Sequence, residues 1–193
     1  MNDVIAILVG SIFVNNFVFA RVLGNCPFFG VSKKTKTAMG MGVAVIFVMT
    51  LASAAAWTVT EYALLPYELG FLKTIVYILV IATLVQFVES VIRKKSRALY
   101  NALGIYLPLI TTNCVVLAVV LLNYSKTYGF IESVAHGFGG GVGFTLALLM
   151  MSGIRERLEY SNIPESLRGL PIAFITAGIL SLSFLGFSGM IKM

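Results

Sequence analysis

The stretch "LGNCPFFG", Leu23 to Gly30, interrupts the first apolar block of the chain, and "TTNCVV", Thr111 to Val116, interrupts the fourth. Together they hold the only two cysteines in 193 residues, each preceded by asparagine. Gly24 and Pro27 bracket the first Asn-Cys pair and Gly30 follows it. Proline lacks a backbone donor and clashes with the preceding turn, so a helix should kink or stop here. Pro108, Thr111 and Thr112 are expected to disrupt the fourth block in the same way. Two broken helices, rather than two ordinary ones, are therefore the expectation.

The surrounding composition sets the solvent. Hydrophobic residues make up 59% and charged residues 11%, with a mean hydropathy of +0.95. A soluble domain carries about 25% charged residues, and one core cannot hide this much apolar surface. The apolar residues run in continuous blocks of about 20, the length that crosses a bilayer as a helix. They lack the short alternating segments of a barrel. Six spans are predicted, about 4–31, 38–60, 71–92, 102–123, 134–153 and 169–190. The start of the chain lacks a basic region and its first apolar block runs on, so no cleavable signal peptide is expected.

Charge placement orients the spans. Lys33, Lys34 and Lys36 lie in the first loop, Arg93, Lys94, Lys95 and Arg97 in the third, and Arg155, Arg157 and Arg168 in the fifth. Against these ten, the even loops and the C-terminus offer Lys73, Lys126 and Lys192, and Arg21 sits inside the first span. The positive-inside rule makes the odd loops cytoplasmic and places both termini outside. The net charge of +6 is thus a topology signal and a docking face for acidic cytoplasmic partners, and nucleic acid is not an expected ligand.

The six spans also divide into two sets of three, about 1–97 and 98–193, within one transmembrane domain. Asn25-Cys26 in span 1 answers Asn113-Cys114 in span 4. "MGMG" (Met39 to Gly42) in span 2 answers "HGFG" (His136 to Gly139) in span 5. Three spans are an odd number, so the second set crosses in the opposite sense. The expected fold is an all-α inverted repeat, with spans 1 and 4 broken near the cysteines and equivalent features meeting near the midplane.

Three readings of the thiols are open: small buried hydrophobes, a disulfide, or metal-ligating thiolates. Zinc and iron–sulfur sites usually take four protein ligands. Two cysteines fall short, and His136 lies near the outer end of span 5. Ligation therefore requires a second chain with a matching pair. An iron–sulfur centre at that depth would be a stepping stone for an electron across a layer of about 30 Å.

The segments "VNNFVFARVLGNCPFFGVSKK", "LPLITTNCVVL", "SGIRERLEYSNIPESLRG" and "ITAGILSLSFLGFSG" resemble the family of the Rnf ion-translocating ferredoxin:NAD+ oxidoreductase membrane subunits. The D and E subunits of the Na+-translocating NADH:quinone oxidoreductase belong to the same family. Outward termini and "NCPFFGVSKK" favour the A type over its oppositely oriented E-type sister. The resemblance implies a bacterial cytoplasmic-membrane subunit paired with that sister. Cys26 and Cys114 would each give one thiolate to an intramembrane [2Fe–2S] cluster and the sister two more. Electrons would pass between cytoplasmic iron–sulfur subunits and a flavin-bearing subunit, coupled to Na+ or H+ movement.

Around the thiols, Asn25 and Asn113 are expected either to hydrogen-bond cluster sulfurs or to satisfy broken helix backbone. Arg21 would offset cluster charge or snorkel to the cytoplasmic surface. Asn15, Asn16, Thr111 and Thr112 are expected as hydrogen-bonding groups of helix packing. Glu89 precedes Arg93 by four residues, a helical ion-pair spacing. The glycines from Gly137 to Gly143 carry two GxxxG spacings and predict tight helix packing. They do not form GxGxxG, so no dinucleotide fingerprint stands. The chain shows no NAD, flavin or quinone site, so activity would belong to a complex. The alternatives are a small inverted-repeat transporter and a cofactor-free assembly subunit.

Overall fold

The computed structural model describes residues 2–66, 70–95, 109–110 and 112–186, and they are helical apart from turns and connectors. Three helices are long and apolar enough to cross a membrane, over Thr35–Leu64, Lys73–Ser90 and Phe130–Leu158. Shorter apolar helices cover Val4–Val14, Cys114–Ser125 and Leu170–Leu185. We number the α-helices α1 (Asn2–Val9), α2 (Asn25–Val31), α3 (Thr35–Val59), α4 (Lys73–Lys95), α5 (Cys114–Ser125), α6 (Phe130–Leu158) and α7 (Leu170–Leu185). The long helices overrun the predicted spans because hydropathy marks only the apolar stretch. Their polar first and last turns stay helical: Glu132 accepts the Gly129 N–H at the start of α6, and Arg155 and Arg157 lie in its last turn.

α3 and α6 form the axis of the bundle, packed antiparallel along their length. At one end Trp57 meets Phe130 edge to face, with ring centroids 5.2 Å apart, and the Trp57 indole N–H donates to the Tyr128 carbonyl at 3.2 Å. At the other end the Thr35 N–H donates to Glu156 Oε1 at 2.7 Å. Between them the contacts are glycine contacts. A Cβ on Gly141 would lie 2.7 Å from Ile46 Cα, and one on Gly137 would lie 2.9 Å from the Met49 carbonyl. Gly42 of α3 abuts Thr145. Without a hydrophobic drive inside lipid, helices associate by close backbone approach, which small residues permit.

The glycine stripe of α6 therefore serves two partners. Gly137 and Gly141 receive α3. Gly139 and Gly143 receive the first helix, with Gly139 against Leu8 and Gly143 against the Ser11 and Ile12 carbonyls. The Asn16 amide locks that second contact by donating to the Gly143 carbonyl at 2.8 Å. The helix-packing expectation for the stripe, and for Asn16, holds.

Span 1 is broken, but not where proline suggested. α1 runs into a π-turn at Gly10–Val14 and helical structure resumes only at Asn25. Between them the chain passes through positive φ at Val22 (56°) and Gly24 (78°). Pro27 falls in the first turn of α2, where backbone N–H groups lack intrahelical partners in any case. It marks a helix start rather than a stop. Of the expected disruptors of span 4, Pro108 and Thr111 lie outside the described residues, as do Arg97 and residues 187–193, while Thr112 lies in the turn before α5. What is described is that α5 starts at Cys114, capped by Asn113.

The bundle has two chemically different ends. Lys33, Lys34, Arg155 and Arg168 line one cavity together, so the first and fifth loops share an end. At the opposite end the Lys73 ammonium lies 4.5 Å from the Tyr124 ring centroid and Lys126 lies 5.5 Å from that of Tyr128. That end gathers the second and fourth connections.

Candidate functional site at the paired Asn-Cys segments

The two Asn-Cys segments meet. The Gly24 N–H donates to Cys114 Sγ at 2.9 Å, a link across 90 residues of sequence. Gly24 is pressed into the second segment: a Cβ there would lie 2.6 Å from Val115 Cγ2, 2.8 Å from Phe144 Cε2 and 3.4 Å from Asn113 Oδ1. Only glycine combines that approach with a φ of +78° at no steric cost. Phe144 is the central residue of the 29 in α6, so the meeting point lies half-way along the longest apolar helices.

From that level the half-helices depart in opposite directions. α2 ends beside Arg155, whose guanidinium donates to the Phe29 carbonyl and the Ser32 hydroxyl, both at 2.8 Å. α5 ends beside Tyr77 and Lys73, at the other end of the bundle. Each half-helix begins at its Asn-Cys pair. In α5, Asn113 is the N-cap and Cys114 the first helical residue. In α2, Gly24 takes the cap position and Asn25 and Cys26 follow. The matching local sequences are thus offset by one helical position.

Both cysteines are free thiols exposed on the surface of the chain. This corrects the buried-hydrophobe reading, and no disulfide joins them. A thiol at mid-depth of an apolar bundle, yet uncovered by its own chain, faces lipid or another chain. Among the described residues no three metal-ligating side chains gather anywhere, so the pair is not completed by this chain's own His136.

Of the two expectations held for Asn113, the structure shows the backbone one. Its Oδ1 accepts the Val115 N–H at 3.1 Å and so satisfies the broken backbone. Its Nδ2 has no partner among the described residues although Asn113 is only 4% exposed. A buried amide donor left unpaired costs about 1–3 kcal/mol, a cost that an acceptor placed against it would remove. Asn25, next to Cys26 in sequence, is half-buried.

The remaining candidates scatter. Arg21 is exposed and lines a small cavity with Asn15, Lys126, Tyr128 and His136. It therefore points toward the end opposite Lys33 and Lys34, which corrects the snorkelling expectation. His136 is buried, with Nδ1 2.6 Å from Asn123 Oδ1, and this pairing keeps it in the packing of α5 on α6. Glu89 is half-buried on α4, and the Arg93 side chain lies outside the described residues. Gly24 is the residue of this meeting point that the sequence reading undervalued. It stood out only as a helix breaker, because nothing local reveals that its N–H reaches a sulfur 90 positions away.

The model of the Rnf-Nqr subunit family, described as membrane proteins, matches residues 4–191. A protein of Acetobacterium woodii, named as the A component of a Na+-translocating ferredoxin:NAD+ oxidoreductase complex, is 59% identical, over 96% of this chain and 97% of its own. Proteins of Syntrophotalea carbinolica and Edwardsiella ictaluri, named as the A components of ion-translocating oxidoreductase complexes, are 54% and 53% identical, over 99% and 100% of both chains. The chain belongs to the Rnf-Nqr family of membrane-protein subunits.

Proposed function

We propose that this chain is the A-type membrane subunit of an ion-translocating ferredoxin:NAD+ oxidoreductase complex, and that Cys26 and Cys114 supply half the ligands of a [2Fe–2S] cluster shared with a homologous sister subunit. The observation that carries the reading is the pair of exposed thiols at mid-depth, on half-helices that begin together and run apart. A [2Fe–2S] cluster supplies a one-electron relay, and at this depth it divides a crossing of about 30 Å in two.

The chain's own residues fit such a group. Two thiolates form half of the usual four-cysteine set. The Gly24 N–H already donates to Cys114 Sγ. The orphan Asn113 Nδ2 is a donor awaiting an acceptor such as a sulfur. The N-terminus of α5, with Cys114 in its first turn, turns the positive end of the helix dipole toward anionic ligands. Opposed half-helices and the antiparallel α3–α6 pair support the inverted repeat, with the basic end cytoplasmic, both termini outside, and the chain resident in the bacterial cytoplasmic membrane. Electrons then pass between cytoplasmic iron–sulfur partners and a flavin-bearing partner, coupled to Na+ or H+ movement.

A transporter reading has one observation in its favour. A cavity of about 410 Å³ between α3, α4 and α5 is lined by Ser53, Thr60, Glu61, Tyr77 and Asn123 among others, and Ser53 Oγ is buried there without a partner among the described residues. That reading leaves the paired thiols without a task.

Anaerobic purification with the membrane partner, iron and sulfide analysis and EPR after reduction test the proposal. Wild type is expected to show a cluster signal that both Cys26→Ser and Cys114→Ser abolish. Asn113→Asp is expected to retain the cap and the cluster but lower its potential, because a carboxylate beside it favours the oxidised form. An iron-free complex, or a signal that survives both cysteine substitutions, overturns the assignment. Substrate accumulation in vesicles without an electron donor would establish the transporter instead.

A further inference from the structure

Where the first and fifth loops meet, a cavity of about 340 Å³ is lined by Lys33, Lys34, Arg155 and Arg168, against the single carboxylate of Glu159. The positive-inside rule accounts for basic residues at this end but not for their arrangement. Arg155 is half-buried and fixed by its two bonds to the Phe29 carbonyl and to the hydroxyl of fully buried Ser32. Both acceptors are neutral, so the guanidinium charge is held in place without being cancelled. Among the described residues the rest of its fork of donors meets no acceptor and remains for a ligand.

The other wall is apolar. Leu158 and Ile172 line the same cavity, and Ile172 lies in the first turn of α7, a helix that buries little against the bundle. Among the residues of α7 only Ala173 is fully buried, while Phe174, Ile175, Ile179 and Leu182 are exposed. A held cationic pocket thus opens onto an uncovered apolar helix. An acidic protein segment satisfies the first and not the second; a molecule with an anionic head and a long apolar tail satisfies both.

We propose that this cavity binds the phosphate headgroup of an anionic phospholipid, whose acyl chain runs down the exposed face of α7. Basic pockets at the cytoplasmic ends of transmembrane helices recognise such headgroups by this chemistry. The inference is independent of the cluster, since it uses neither cysteine.

Native mass spectrometry tests it on the full-length chain with its co-purifying partners, after delipidation and with phosphatidylglycerol and phosphatidylcholine offered in equal amounts. Preferential retention of phosphatidylglycerol is expected. Arg168→Gln and Lys34→Gln, which break no hydrogen bond of the fold, should each lower it about fivefold, whereas Lys94→Gln, exposed on α4 outside the cavity, should leave it unchanged. Equal retention of the two lipids overturns the proposal, as does an equal effect of Lys94→Gln. Displacement by inorganic phosphate alone would assign the cavity to a free anion. Loss of an acidic partner protein, with lipid retention intact, would assign it to that partner; both outcomes overturn the lipid assignment.

Discussion

At Gly24 the backbone turns through a φ of +78° while its N–H reaches Cys114 Sγ. A methyl group there would meet Val115 and Phe144 at 2.6 and 2.8 Å, on a backbone conformation that already strains an L-residue. Gly24→Ala is therefore expected to destabilise the chain by about 1–3 kcal/mol. The lowered unfolding midpoint would be read in detergent, with weakened attachment of the first Asn-Cys segment to α5. An unchanged midpoint would mean that this crossing carries no strain. Asn113 illustrates the same scale differently: one side chain caps a helix and keeps a buried donor that is unpaired among the described residues.

Helix α6 is legible as an element because its glycines are not alike. Gly141 has the Ile46 backbone at 2.7 Å from the place of a Cβ, while Gly153 of the same helix has nothing within 4 Å. Gly141→Ala must push α3 away and is expected to cost about 1–3 kcal/mol. Gly153→Ala relieves the entropic cost of glycine in a helix and should be neutral or stabilising by up to about 1 kcal/mol. Denaturation of the two variants side by side checks the contrast. If both behave alike, close approach of α3 is not what the stripe provides.

For the whole molecule, the arrangement of ends makes a topological prediction. Lys34 and Tyr160 line one cavity, and Thr127 lines another among the connections of the opposite end. Single cysteines at these positions, in a chain with Cys26 and Cys114 replaced by serine, should divide accordingly. An impermeant thiol reagent is expected to label the Lys34→Cys and Tyr160→Cys proteins from the cytoplasmic side and the Thr127→Cys protein from the outside. Labelling of all three from one side would refute a bundle that separates these loops.

By itself the sequence determined the solvent, the helical class and the fact that span 1 is broken. Continuous apolar blocks satisfy their backbone in lipid only as helices, and Asn-Cys pairs among glycines and prolines are poor helix interiors. It also marked the glycine stripe, since GxxxG spacing has a local, periodic meaning. Tertiary structure alone decided that the break in span 1 lies before Pro27, that Gly24 donates to Cys114, and that Arg21 turns away from the basic end. It also decided that both thiols are uncovered. Each of these depends on which residue lies opposite across the bundle, and local propensity carries no information about a partner 90 residues distant.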